Sequence, residues 1–176
     1  MGFLRSLLWS ESNETAKTAR VRVHITYTEE ELEAIQNYSD EINSFAPEPG
    51  QVFYASNEMV NPIRALALVE HVVKQMVAAR GLTEEKNRPF VDKLIKTVAK
   101  ASAMHELPFY FYLWAGLSAV KGDKETAKRL YALFLKFQAE FKPGKVDNFI
   151  IGLLKLHHWF DVENAMSLAQ QSIARS

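Results

Sequence analysis

The chain of 176 residues is 48% hydrophobic and 24% charged, with a formal net charge of zero and no cysteine. A neutral balance argues against nucleic acid as the ligand, because phosphate binding takes uncompensated Lys and Arg. Lack of cysteine removes disulfides, thiolate catalysis and cysteine-ligated zinc or iron–sulfur sites, and no apolar run reaches the roughly 18 residues of a membrane-spanning helix. The expectation is a soluble, cytoplasmic domain long enough to bury a full core.

Residues 1–19 read as a tail and linker. Within it, Phe3, Leu4, Leu7, Leu8 and Trp9 suit either a tail docked on the core or a short helix lying at a membrane surface. Gly2 with Ser6 also fits the myristoylation pattern. Residues 20–176 read as one predominantly helical domain, with a strand–helix–strand lead-in over 20–58 and a helical bundle over 60–176. Val21, Val23, Ile25 and Tyr27 alternate with Arg22, His24 and Thr26, the period-two pattern of a half-buried strand. Thr28 then stands three residues before Glu31, which predicts a capping box opening a helix through Leu32, Ile35, Tyr38 and Ile42. Gln51 to Ala55 suit a second short strand.

From there the reading is helical throughout. Asn61 and Pro62 predict a helix start, with Ile63, Leu66, Val69, Val73 and Met76 on one face and Gly81 at the end. Thr83 is the expected cap of the next helix, which Pro89 bends or starts and which carries Val91, Leu94, Ile95 and Val98. His105 suits a helix C-terminus. Pro108 opens Phe109-Tyr110-Phe111-Tyr112-Leu113-Trp114-Ala115-Gly116-Leu117, apolar on every side and therefore expected at the centre of a bundle. Asp123 caps a helix through Ala127, Leu130, Tyr131, Phe134 and Phe141, closed by Pro143 and Gly144. Two more helices are expected over about 146–159 and 162–174, with Asp161 as the cap between them. The fold class is therefore mainly α: an antiparallel helical bundle or a short α-helical repeat stack with a small N-terminal β element.

Gly122-Asp123-Lys124-Glu125-Thr126-Ala127 can be laid over Phe160-Asp161-Val162-Glu163-Asn164-Ala165. Each stretch follows a helix holding a small residue, Gly116 or Gly152, and each alanine is followed four residues later by Tyr131 or Ala169. Over residues 109–174 the chain thus resembles the helical hairpins of tetratricopeptide-type repeats, although the signature Trp and Pro positions are missing. The resemblance implies a concave helical surface that binds a peptide or protein segment, and it implies no catalysis.

Charge is unevenly placed along the chain. Between Thr28 and Ile63 stand Glu29, Glu30, Glu31, Glu33, Asp40, Glu41, Glu48 and Glu58 with no base, whereas Lys and Arg outnumber Asp and Glu from Arg64 onward. Either the acidic segment docks on the basic remainder or each faces a partner.

Familiar chemistry is scarce. His157 and His158 are adjacent on a helix, so their rings diverge by about 100° and do not chelate one metal. Glu-x-x-His and His-Glu-x-x-His spacings, a phosphate loop, a dinucleotide fingerprint and Gly-x-Ser-x-Gly are all absent. No catalytic residue, metal or cofactor is assigned. The leading expectation is a non-enzymatic protein-interaction module or adaptor, with Tyr110, Tyr112 and Trp114 as apolar anchors and Lys124 and Lys128 as electrostatic contacts. Two alternatives stay open: a small enzyme or binder of an apolar small molecule, with a pocket around helix 109–117, Phe109 and His157; and a peripheral membrane protein attached through residues 3–9.

Overall fold

A computed structural model of the protein describes residues 25–44 and 57–154, together with Ser167, Gln170, Gln171, Ile173 and Ala174. These residues are mainly helical. In chain order they form α1 (Glu29–Ser44), α2 (Asn57–Ala78), a 3-10 turn (Glu85–Asn87), α3 (Arg88–Met104), α4 (Pro108–Lys121), α5 (Lys124–Glu140) and α6 (145–154). Of the expected β element, residues 25–28 form neither strand nor helix, and 20–24 and 51–55 lie outside the described residues. The N-terminal segment 3–9, the second of the two overlaid stretches (160–165) and the expected cap Asp161 lie outside them too.

The start of α1 follows its sequence signal. Thr28 Oγ1 accepts from Glu31 N at 3.1 Å while Glu31 Oε1 accepts from Thr28 N at 2.8 Å, a reciprocal capping box. Its rotation departs from the expected apolar stripe. Tyr38 is buried and Ile35 half-buried, but Leu32 is 52% exposed and Glu31 takes the inward position beside it. The cause lies on α3, where Lys100 and Thr97 receive the Glu31 carboxylate.

Helix α2 begins at Asn57, ahead of the expected start at Asn61, and carries Pro62 in its second turn. A proline there removes one intrahelical bond close to the helix end and leaves the remaining turns intact. The expected face of α2 is buried, and so are Ala65, Ala67, Leu68 and Val72, which makes its middle a second helix enclosed on several sides. Thr83 is exposed and does not cap α3. The α2–α3 loop turns at Gly81 (φ 68°) and is held by Asn87 Nδ2, which donates to the Gly81 carbonyl at 2.6 Å. Pro89 stands in the first turn of α3 and starts it.

Each of the helices α1 to α5 packs chiefly on its neighbour in sequence. The main core gathers Tyr38 of α1, the apolar residues of α2, Val91, Leu94, Val98 and Ala101 of α3, Tyr110, Leu113, Leu117 and Val120 of α4, and Ile150, Leu153 and Leu154 of α6. A second core lies on the other side of α4, where Phe111 and Ala115 meet Leu130 and Phe137 of α5, with Ile173 packed against them. Helix α4 is thus a wall between two cores, as its all-round apolar sequence anticipates. Burying each of its large side chains contributes about 1.5–3 kcal/mol.

Candidate functional site

The sequence-selected residues other than His157 lie on α4 and α5, which are joined by a turn built from two adjacent residues. Gly122 adopts the left-handed conformation (φ 95°), with Gly122 N bonded to Ala119 O at 3.0 Å and Asp123 N to Ser118 O at 2.9 Å. That is a Schellman C-cap. Asp123 then caps the next helix, its Oδ1 accepting from Thr126 N at 3.2 Å. This bond, with Lys121 and Arg129 nearby, holds the Asp123 carboxyl below the usual carboxylate range. A Cβ at Gly122 would find space, its nearest neighbour being Arg88 Nη2 at 3.7 Å, so the strain of a side chain there is purely conformational. Gly122→Ala is expected to destabilise the protein by about 1 kcal/mol. Urea unfolding measures this, and an unchanged midpoint would mean the turn tolerates another geometry.

Aromatic rings fill the contact between α4 and α5 in two groups. Phe111 stacks on Trp114 at 6.2 Å and meets Phe137 edge-on at 5.8 Å, with Phe141 beyond at 5.2 Å from Phe137. In the other group, Tyr112 meets Phe134 at 4.8 Å and Tyr131 at 6.2 Å, both edge-on, and Tyr131 and Phe134 stack at 5.9 Å. Edge-on and offset pairs of this kind add about 0.5–1.5 kcal/mol beyond the area they bury.

The expected apolar anchors divide in consequence. Tyr110 is wholly enclosed in the main core and presents no surface to a partner. Tyr112 is buried beneath Tyr131 and Phe134; its burial, and secondarily the neighbouring Tyr131, raise its hydroxyl above the ordinary phenolic range. Trp114 is half-buried, while Lys124 and Lys128 are exposed on α5. Phe109 is half-buried against the main core, and His157 lies outside the described residues. The structure adds Tyr131 and the 50% exposed Leu135 to this region. Lys124, Lys128, Tyr131 and Leu135 follow the helical spacing of a single outer stripe, a signal present in the sequence but outweighed by the aromatic run on α4.

Two polar clusters were not legible in the sequence. In the first, Glu31 joins α1 to α3: Lys100 Nζ donates to Oε1 at 2.6 Å and Thr97 Oγ1 to Oε2 at 2.8 Å. Burial opposes the charge on Glu31, but these donors and the Thr28 amide together hold its carboxyl below the usual range. Tyr27 adds a contact of its hydroxyl to Met104 Sδ at 3.7 Å.

In the second, the end of α3 meets the start of α6. His105 Nε2 lies 2.7 Å from Asp147 Oδ1, while Asp147 Oδ2 accepts from Gly144 N at 2.9 Å. With the carboxylate ionised, the neutral imidazole donates from Nε2. Tyr110 approaches the same carboxylate, and burial, with Asp147 adding to it, pushes its hydroxyl far above the ordinary range. Ser102 Oγ, His105 Nδ1 and the Tyr110 hydroxyl are buried without a hydrogen-bond partner among the described residues. Ser, His and Asp are the residue types of a nucleophilic relay. Here, however, Ser102 is fully buried and is not hydrogen-bonded to the imidazole. The arrangement fixes three elements together and does not offer a nucleophile to solvent.

Burial lowers the His105 pKa, with Asp147 acting in the opposite sense. The unfolded chain therefore takes up this proton more readily than the folded one. The stability that His105 contributes is fully present above its unfolded value, about 6.5, and is lost as pH falls through its lower folded value. The thermal midpoint should fall between about pH 7 and pH 5, and His105→Gln should flatten that slope. Thermal scans of both proteins across the range test this; parallel curves would remove His105 from the account.

Among the described residues there is no group of three or more His, Asp or Glu that could hold a metal ion, and no helix long and apolar enough to cross a membrane. No protein-family model matches the chain, and neither a curated protein nor a solved structure matches it.

Proposed function

We propose that the protein is a helical scaffold that binds another protein along the outer stripe of α5, without catalysis. The observation that carries this reading is the 50% exposed Leu135, preceded along the same helix by Tyr131 and Phe134 and, before them, by Lys124 and Lys128. Aromatic side chains with charges at the rim are the composition of an interaction hot spot; here Tyr131 and Phe134 supply the rings, Lys124 and Lys128 the charges, and Leu135 exposed apolar area beside them. The sequential packing of α1 to α5 supports it too, since helices stacked in order leave outer faces available to a ligand. Tyr112 supports this surface from below through Tyr131 and Phe134, while Trp114 stacks on Phe111 in the other aromatic group.

The test is affinity purification of the tagged protein and of a Lys124→Gln/Lys128→Gln/Leu135→Ser variant from native lysate. All three positions are exposed, so circular dichroism should show an unchanged fold. The expected result is a stoichiometric partner reduced about tenfold or more by the triple change, equivalent to at least ~1.4 kcal/mol. Equal recovery on both proteins, or no partner above background, would sink the reading.

A further inference from the structure

We propose that one partner of the α5 stripe is α1 of a second copy of this chain, joined head to tail. The inference rests on the reading of α5 as a binding surface and names what it binds. Helix α1 presents Glu29, Glu33, Gln36 and Asp40 along one exposed stripe, at the same alternation of four and three residues that places Lys124, Lys128, Tyr131 and Leu135 along α5. The two stripes are opposite in charge. Leu135, 50% exposed, stands on the α5 stripe, and Leu32, 52% exposed, stands beside the α1 stripe rather than on it. Laid parallel, the stripes bring Glu29 and Glu33 opposite Lys124 and Lys128.

Among the described residues, the charges needed for this contact are not used elsewhere. Of the α1 acids, Glu31 turns inward to Lys100, whereas Glu29, Glu33, Lys124 and Lys128 form no ion pair among the described residues. Glu29 also lies in the first turn of α1, where the helix dipole favours an acid in any case; Glu33 and Asp40 stand beyond that turn. The exposure of Leu32 has the same origin as the burial of Glu31, because rotating α1 to seat the carboxylate on α3 carries the neighbouring leucine outward.

The two surfaces differ, so the contact is heterologous: each copy uses α1 toward one neighbour and α5 toward the other. Two helix faces make a small interface, so association should be weak and strengthened by low salt. Sedimentation velocity of the full chain should show reversible association that increases with concentration and declines as ionic strength rises from about 0.05 to about 0.5 M.

Two variants test the geometry. One carries Lys124→Gln/Lys128→Gln/Leu135→Ser on α5, and the other Glu29→Gln/Leu32→Ser/Glu33→Gln on α1. Each alone should be weakened about tenfold or more. Mixed in equal amounts they should form a 1:1 heterodimer that grows no further, because only one intact α1 and one intact α5 surface remain. A wild-type chain that stays monomeric up to ~1 mM overturns the proposal. So does association untouched by either variant, or a mixture that stays monomeric. If self-association fails but the α5 variant still loses a different stoichiometric partner from lysate, the interaction surface stands and this occupant is wrong. If both fail, the surface itself is wrong.

Discussion

Phe111→Ala is expected to cost about 4 kcal/mol and to loosen α5 from the rest of the protein. Phe111 is fully buried, and its ring sits between Trp114 on its own helix and Phe137 on the facing one. Truncation removes the transfer energy of the ring and leaves a cavity that Ala115 and Leu130 are too small or too constrained to fill. This second core is separate from the one that holds α1, α2, α3 and α6 together. The loss should therefore fall unevenly. Hydrogen exchange in α5 should accelerate more than in α2 or α3, and the unfolding midpoint should drop. Leu113→Ala, made on the main-core face of the same helix, should lower stability as a whole without that local signature. Equal protection losses in α2 and α5 for Phe111→Ala would mean that the two cores act as one. The same experiment bears on function, because a loosened α5 no longer presents Lys128, Tyr131 and Leu135 at fixed spacing.

The central position of α4 could be read from its residues, since the run from Phe109 to Leu117, with five aromatic rings, has no polar face to give to water. The capping box of Thr28 and Glu31 and the cap at Asp123 were equally legible, because a capping bond depends on residues three apart. What escaped the sequence depends on distant pairings. Nothing near Leu32 says that it faces outward. The deciding partner, Lys100, is 69 residues away, and a helix can be rotated by one position when a buried charge gains three donors. His105 could be placed at a helix end, but its partner Asp147 is 42 residues away and belongs to the start of another helix. The start of α2 differs for a local reason: Asn61-Pro62 carries a start signal, but the helix begins one turn earlier, at Asn57, and forgoes the hydrogen bond that the Pro62 nitrogen cannot make. In the candidate site, Lys124 and Lys128 lie on the exposed face that their charge suggests, whereas composition marks the rings of Tyr110 and Tyr112 as apolar without saying how deeply each is buried.

Lys100→Met should cost about 2–3 kcal/mol, toward the lower end for a broken buried ion pair because Lys100 itself keeps some access to solvent. Glu31 is nearly enclosed, with 3% of its side chain exposed, against 25% for Lys100. Removing the ammonium leaves the carboxylate with the Thr28 amide and the Thr97 hydroxyl alone. Thr97 also lies 3.0 Å from the Lys93 carbonyl, and its single proton cannot serve both acceptors at once. The Glu31 carboxyl then loses the partner that offset its burial, and its pKa rises. In the wild-type protein Glu31 is held below the ordinary glutamate value, about 4.3, so its contribution to stability is present above that pH and lost as pH falls through the lower folded value. Lys100→Met should abolish this part of the acid dependence, and Glu31→Gln/Lys100→Met should recover much of the loss by removing the stranded charge. Urea unfolding at about pH 7 and about pH 4 for the wild type, the single variant and the double variant measures all three effects. A single variant within about 0.5 kcal/mol of wild type would mean that the pair is incidental. It would also remove the physical reason for the rotation of α1, and with it the reason that Leu32 and the acidic stripe face outward together.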